Sequence, residues 1–458
     1  MTTRVETPGT PVPAALPRPA RRPALLPARL RTALDGEPLL RNGHVLTLSS
    51  LLAAALGAGF WVLATTWYDT ATVGRSYAAL SAVMLLSGIG QLNLADVLVR
   101  FVPAAGAHAG RLALRCYLAA ALFSTVVAVA FLLLVPQLAP GLDYLRRPLV
   151  AVCFTLGAAG YSIFVLQDGA LTGLRRPGWV LGENALFAAV KAALLALCGT
   201  LALDAGILAS WVAALLTALV VTNVFLFRSA VPAHRRAQLD APAPQRLVGY
   251  AAADYVGAQF RLAAYNVVPL LVLNRLGPEG SAYLSLAWVI AYTLFLVAYN
   301  MGSSLLVEAA RAPERLVEHA RRVLRHNAVL IAAAATVMVL AAPWLLGLFG
   351  PQYARHGTAL LRLLALSALP NLVLSVAIDV ARARRRLGWV VLLQALLCVL
   401  VLGLSVLLIP RFGVTGVGVA WLAAECALGL PLLAALPRWL PREQAPREQE
   451  PRQQERRP

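Results

Sequence analysis

Charge is what this sequence has least of. Only 13% of its 458 residues are Asp, Glu, Lys or Arg, about half the fraction of a soluble globular domain, which excludes an ordinary water-facing fold. Lysine is almost absent: of forty cationic side chains only Lys191 is one, and all the others are arginine. The five cysteines (Cys116, Cys153, Cys198, Cys398, Cys426) are odd in number and contain no Cys-x-x-Cys pair. A disulfide frame or a zinc site is therefore excluded, no metal is expected, and buried packing is left as their role. Residues 1–43 lack the apolar core of a cleavable signal peptide; with seven arginines and eight prolines they read as a disordered basic cytoplasmic arm. Nor do the apolar runs alternate, as the strands of a membrane barrel would.

What is present is Ala, Leu and Val in long runs. Hydrophobic residues make up 59% of the chain, and most runs reach the roughly 20 residues that a helix needs to cross a bilayer. Twelve spans are predicted: 44–66, 76–95, 116–136, 148–168, 179–200, 205–227, 249–273, 281–304, 326–349, 357–380, 388–410 and 413–436. The fold class is therefore an all-α polytopic membrane protein of about twelve transmembrane helices. The Pro-rich loop 228–248 is the expected cytoplasmic linker between an N-terminal six-helix bundle (44–227) and a C-terminal one (249–437), and 438–458 reads as a disordered polar tail.

An even number of spans puts both termini on one side. If that side is cytoplasmic, the inner loops hold eighteen arginines and the outer loops six (Arg75, Arg146, Arg147, Arg275, Arg355, Arg411), which orients the chain by the positive-inside rule, Arg146 and Arg147 running against it. The same spread along loops speaks against nucleic-acid binding despite the net charge of +19. Trp67, Trp179, Trp344, Trp389 and Trp439 fall near span ends, as interfacial anchors do. The segment Pro313–Arg325, with Glu318 four residues before Arg322, reads as a surface helix on the inner leaflet. A short internal repeat aligns Tyr68–Tyr77 with Asn274–Tyr283, followed by Asn93 and Asn300. With six spans per half, the halves would share one orientation, as in parallel-repeat transporters.

Ionisable residues deep in spans cost about 2.5–3.5 kcal/mol for a cation at the helix centre, so they are the place to look for function. Lys191 and Arg261 are each the thirteenth residue of their span, one in each half. They are the candidate substrate-binding cavity cations. Asp254, seven residues before Arg261, returns to within about 20° of the same helix face. Glu425 lies mid-span, and Glu183 is about 80° around the helix from Lys191. These three acids are the candidate coupling or charge partners, and two accounts stay open: internal neutralisation of the cations, or a cavity between the halves that attracts an anion. Arg362 is close enough to its span end to snorkel without a partner. Asp96, Asp168, Glu308 and Asp379 are expected to pair at the inner surface with Arg100, Arg175, Arg311 and Arg382.

The turn Leu348-Phe-Gly-Pro-Gln-Tyr353, the approach Ile409-Pro-Arg-Phe-Gly-Val-Thr-Gly-Val-Gly-Val-Ala420 and the hairpin from Gly74-Arg-Ser-Tyr77 to Arg100-Phe101 resemble bacterial polysaccharide flippases. These are the Wzx-like and lipid II flippase branches of the multidrug/oligosaccharidyl-lipid/polysaccharide exporter (MOP) superfamily, and the resemblance covers about residues 40–437. It implies two bundles around a central cavity that opens alternately to each side of the bacterial plasma membrane. The implied substrate is a polyprenyl-phosphate- or pyrophosphate-linked oligosaccharide, moved to the outer leaflet for surface polysaccharide biosynthesis. It also implies coupling to H+ or Na+ in some members, no other cofactor, and glycan polymerases or glycosyltransferases as partners beside the membrane lipids. Without an arginine cluster on span 1, the lipid II branch fits less well.

Two other functions compete. An ion-coupled multidrug or metabolite exporter of the same fold would use Asp254 or Glu425, and the net charge of the cavity separates it from a flippase. A membrane glycosyltransferase or glycan ligase would need an outer-loop carboxylate such as Asp69, but the outer loops are too short for an acceptor site, so a non-enzymatic role is expected.

Overall fold

The apolar runs form helices, and the breaks between them are built from residues suited to start or stop one. A computed structural model describes residues 38–233 and 248–440. In chain order the helices are α1 (Pro38–Trp67), α2 (Thr70–Gly90), the short α3 (Leu94–Phe101), α4 (Ala109–Leu138), α5 (Pro148–Gly173), α6 (Pro177–Thr200) and α7 (Gly206–Phe225). There follow α8 (Val248–Arg311), α9 (Leu316–Gly347), α10 (Pro351–Ala383), α11 (Leu387–Phe412), α12 (Val414–Ala434) and the single turn α13 (Leu436–Trp439). Proline opens α5, α6 and α10, where its missing N–H costs nothing because the first turn has no intrahelical acceptor for it. Asp69 caps α2: its Oδ1 accepts from the Thr72 amide at 3.1 Å, an ordinary N-cap role for the carboxylate weighed above as a catalytic group.

Ten of the described helices are long and apolar enough to cross a membrane. One of these, within α8, covers both predicted spans 7 and 8. At 64 residues α8 would reach roughly 96 Å if straight, yet Tyr265 in its first arm touches Trp288 in its second, with ring centroids 5.4 Å apart. The chain reverses at Gly277, whose φ of 76° and ψ of −176° belong to a region that only glycine occupies without strain. Ala54–Trp67 supplies the apolar part of span 1.

Packing follows the two halves. In the first, α4 lies on α5, α6 on α7, and α5 on α7; in the second, α10 lies on α9 and α12, and α11 on α12. The halves meet chiefly where α1 and α2 run against α8. The repeat segments are part of that seam: Ser281 Oγ donates to the Gly74 carbonyl at 3.0 Å, and a Cβ at Gly74 would collide with the Pro278 carbonyl oxygen. Further along, the Tyr255 hydroxyl donates to the Ile89 carbonyl at 2.8 Å and Gln259 Nε2 to that of Gly88 at 3.3 Å. The asparagines of the repeat are not equivalent. Asn93 is left-handed (φ 55°) at the break between α2 and α3, a conformation Asn tolerates, whereas Asn300 lies inside continuous helix.

Several sequence expectations are corrected here. Residues 316–325 are the first turns of α9 and no separate surface helix, because His319, Ala320, Val323 and Leu324 are buried against the rest of the fold. Glu318 pairs with Arg315 at 3.0 Å, not with Arg322. Arg362 does not merely snorkel: its Nε donates to the Val339 carbonyl on α9 at 3.0 Å. Trp67, Trp179, Trp344 and Trp389 are exposed at helix ends, but Trp439 is tucked in, its indole N–H donating to the Leu432 carbonyl at 2.8 Å. Most of the 228–248 linker, the arm before residue 38 and the tail after residue 440 lie outside the described residues. All five cysteines are free.

Candidate functional site

A cavity of about 710 Å³ lies between the halves, lined by α1, α2, α5, α6, α7, both arms of α8, α10 and α11. Its lining reaches Gln91, Asp379 and Arg382 at the arginine-rich ends of their helices. At the opposite end the halves are joined by the Gly74–Ser281 contact and by Asn274 Nδ2, which donates to the Leu138 carbonyl at 2.6 Å. In this conformation the cavity extends toward the arginine-rich face.

Lys191 and Arg261 both line this cavity. Lys191 is 8% exposed, and its Nζ lies 4.5 Å from the Phe60 ring centroid and 4.9 Å from that of Phe187. Two aromatic faces offer a desolvated ammonium partial compensation through their quadrupoles. The Arg261 guanidinium sits 5.7 Å from the Tyr299 ring centroid. Among the described residues neither cation has an ion-pair partner.

The expected neutralising pairs therefore do not form within the described residues. Glu183 does not reach Lys191: it is 1% exposed with both carboxylate oxygens unpartnered, because its face of α6 turns away from the cavity, toward Asp168 of α5 and Tyr117 of α4, which lie within electrostatic reach. Asp168 is not paired with Arg175 either; its Oδ1 is buried and unpartnered, while Arg175 is exposed in a left-handed turn (φ 58°) beyond α5. Glu425 is fully buried behind the cavity wall, where its Oε1 accepts from Asn371 Nδ2 at 2.9 Å and the Trp421 indole N–H lies beside the carboxylate. Asn371 itself faces the cavity, so Glu425 is linked to it through one side chain. The side chain of Asp254 lies outside the described residues. Of the expected ion pairs at helix ends, Asp379–Arg382 forms at 3.6 Å and lines the cavity. Counting lining residues, Lys191, Arg261 and Arg382 face Asp379 alone among carboxylates, so the described lining is net positive.

The aromatic character of the wall escaped the sequence reading. Phe60, Trp61, Trp211, Tyr265, Trp288 and Tyr292 all line the cavity, and Trp421 packs behind them, 4.5 Å from Trp288. A signal was present. Tryptophan in membrane helices belongs at the interfaces, yet three of the nine tryptophans (Trp211, Trp288, Trp421) sit further inside predicted spans. Such positions mark a wall where an indole faces a cavity or a packed polar neighbour instead of lipid.

No family model and no curated protein matches the sequence. Solved structures do match in fold. An inward-facing multidrug resistance MATE family transporter of the MOP superfamily aligns with a TM-score of 0.64 at 15% identity, covering 86% of this chain and 96% of that one. An outward-facing structure of a multidrug resistance MATE family transporter gives 0.59 at 14% identity, covering 89% and 97%. A MOP superfamily transporter from Pyrococcus furiosus, described by a binding pocket of reverse polarity that suggests a different function, gives 0.61 at 14%, covering 89% and 97%. The chain has the two-bundle fold of these transporters.

Proposed function

We propose that the chain is an exporter working by alternating access, and that its cargo is an anionic amphiphile with ring-shaped groups. The observation that carries this reading is the pair of cations, Lys191 and Arg261, set in one cavity without an ion-pair partner among the described residues. An unpaired cation in a low-dielectric site costs several kcal/mol unless an anion joins it, and aromatic walls give flat contact area to rings. The names of the structural neighbours favour a multidrug exporter; the net positive charge of the described lining favours anions as such cargo. A polyprenyl-phosphate- or pyrophosphate-linked oligosaccharide is the second reading, favoured by the same charge: the phosphate would meet the cations while the lipid tail stays in the bilayer. Glycosyltransferases or a glycan polymerase would be the partners in that case only.

For coupling, Glu425 and Glu183 are the proposed carriers of H+ or Na+. A buried carboxylate without a cationic partner is costly by itself, so a proton or a small cation should accompany it. With the arginine-rich face cytoplasmic, as the positive-inside rule directs, the present cavity would load from the cytoplasm. The test is uptake into inverted vesicles of an anionic dye and a cationic dye, in competition with a polyprenyl-pyrophosphate-linked sugar. Transport of the anionic dye blocked by the lipid-linked sugar selects the flippase. The same transport without competition selects the anion exporter, and transport of the cationic dye alone refutes both.

A further inference from the structure

A second cleft, of about 440 Å³, opens at the end of the molecule opposite the arginine-rich face. It lies between the first turns of α2, the 140–147 turn and the segment leading into α7, and is lined by Arg75, Thr72, Asp143, Tyr144, Arg147 and Asp204 among others. The cavity cations belong elsewhere, so nothing in the proposed transport cycle uses this cleft. It accounts for an anomaly in the sequence. Arginine is sparse on this face, and the Arg146-Arg147 dipeptide runs against the orientation signal, yet Arg147 and Arg75 converge here.

The charges are held apart instead of collapsing on one another. Asp143 is engaged by Arg146 at 3.3 Å, and Arg75 makes only a long contact to Thr72 Oγ1 at 3.4 Å. Among the described residues Arg147 and Asp204 have no ion-pair partner, although both face the cleft. A cleft that keeps two guanidinium groups without a carboxylate partner and one carboxylate without a cation, among the described residues, suits a ligand carrying both signs. Three long helices, α2, α5 and α7, also begin beside it, at Thr70, Pro148 and Gly206. Their N-terminal dipole ends add positive potential and favour a phosphate. Leu149, next to Val150 of the cleft, is 83% exposed, and Leu203, next to Asp204, is 45% exposed. Apolar side chains at this rim would lie against acyl chains.

We propose that this cleft binds a zwitterionic phospho-amine headgroup, its phosphate against Arg75 and Arg147 and its ammonium against Asp204. The exposed leucines point to a membrane lipid as the source, with a soluble phospho-amine sharing the same headgroup chemistry. The test uses the full-length protein, purified and stripped of lipid, with its Tm followed by intrinsic fluorescence as phosphatidylethanolamine, glycerophosphoethanolamine or phosphatidylglycerol is added. Phosphatidylethanolamine should raise Tm by a few degrees, and Arg147→Ala and Asp204→Asn, both at exposed positions, should each lose most of that shift while keeping the lipid-free Tm. A response to glycerophosphoethanolamine as well assigns the site to the headgroup alone; a response only to the diacyl form assigns it to a bilayer lipid. An equal shift with phosphatidylglycerol that survives Asp204→Asn would overturn the zwitterionic assignment, and no shift with any of the three, or shifts unchanged in both variants, would overturn the site itself.

Discussion

Lys191 Nζ stands 4.5 Å above the Phe60 ring, on the wall of the central cavity and with a second ring, Phe187, at 4.9 Å. The ammonium is thus stabilised by two aromatic faces and has no ion-pair partner among the described residues.

Removing either cavity cation should weaken transport without harming the fold. A charge-assisted hydrogen bond is worth about 1.5–3 kcal/mol, so Lys191→Met or Arg261→Gln should lower transport of an anionic cargo by roughly tenfold or more. Membrane levels should stay at those of the wild type. Initial uptake rates in vesicles measure the effect, and normal rates in both variants would remove the cations from the substrate site.

Glu425→Gln keeps an oxygen for the Asn371 amide, which now donates to Glu425 Oε1 at 2.9 Å, so the helix contact should survive. What should vanish is the response of transport to an imposed H+ or Na+ gradient. Glu183→Gln tests the separate acid in the first half in the same way. If both variants follow the gradient as the wild type does, coupling resides elsewhere.

Gly74→Val should prevent closure of the end opposite the arginine-rich face. Its Cβ would meet the Pro278 carbonyl oxygen, a backbone atom that cannot swing aside, and overpacking of this kind costs about 1–3 kcal/mol. The expected result is a lower Tm and loss of transport. An active, equally stable Gly74→Val protein would show that this seam is not needed for the cycle.

Trp211→Ala and Trp61→Ala should raise KM for ring-bearing cargo more than they lower kcat, since both indoles line the cavity and supply contact area. A change confined to kcat would argue that they serve movement of the helices and not cargo binding.

Much of this molecule was legible in its residues. Long apolar runs that do not alternate can satisfy their backbone groups in a bilayer only as helices, so the spans and the break between 273 and 281 follow from local chemistry. The place of Lys191 and Arg261 along their helices follows as well, because it is a count of residues from the span ends. Direction around the helix axis was another matter. Glu183 and Lys191 share α6, and an angle of about 80° left their pairing open; packing of α6 against α7, α1 and α5 turned Glu183 toward Tyr117 and Asp168 while Lys191 faced Phe60. The meeting of Asn371 with Glu425, of Gly74 with Ser281 and of Arg75 with Arg147 around one cleft involves residues 54, 207 and 72 positions apart. Periodicity fixes which residues share a helix face, but only the packing of helices against one another decides which faces meet.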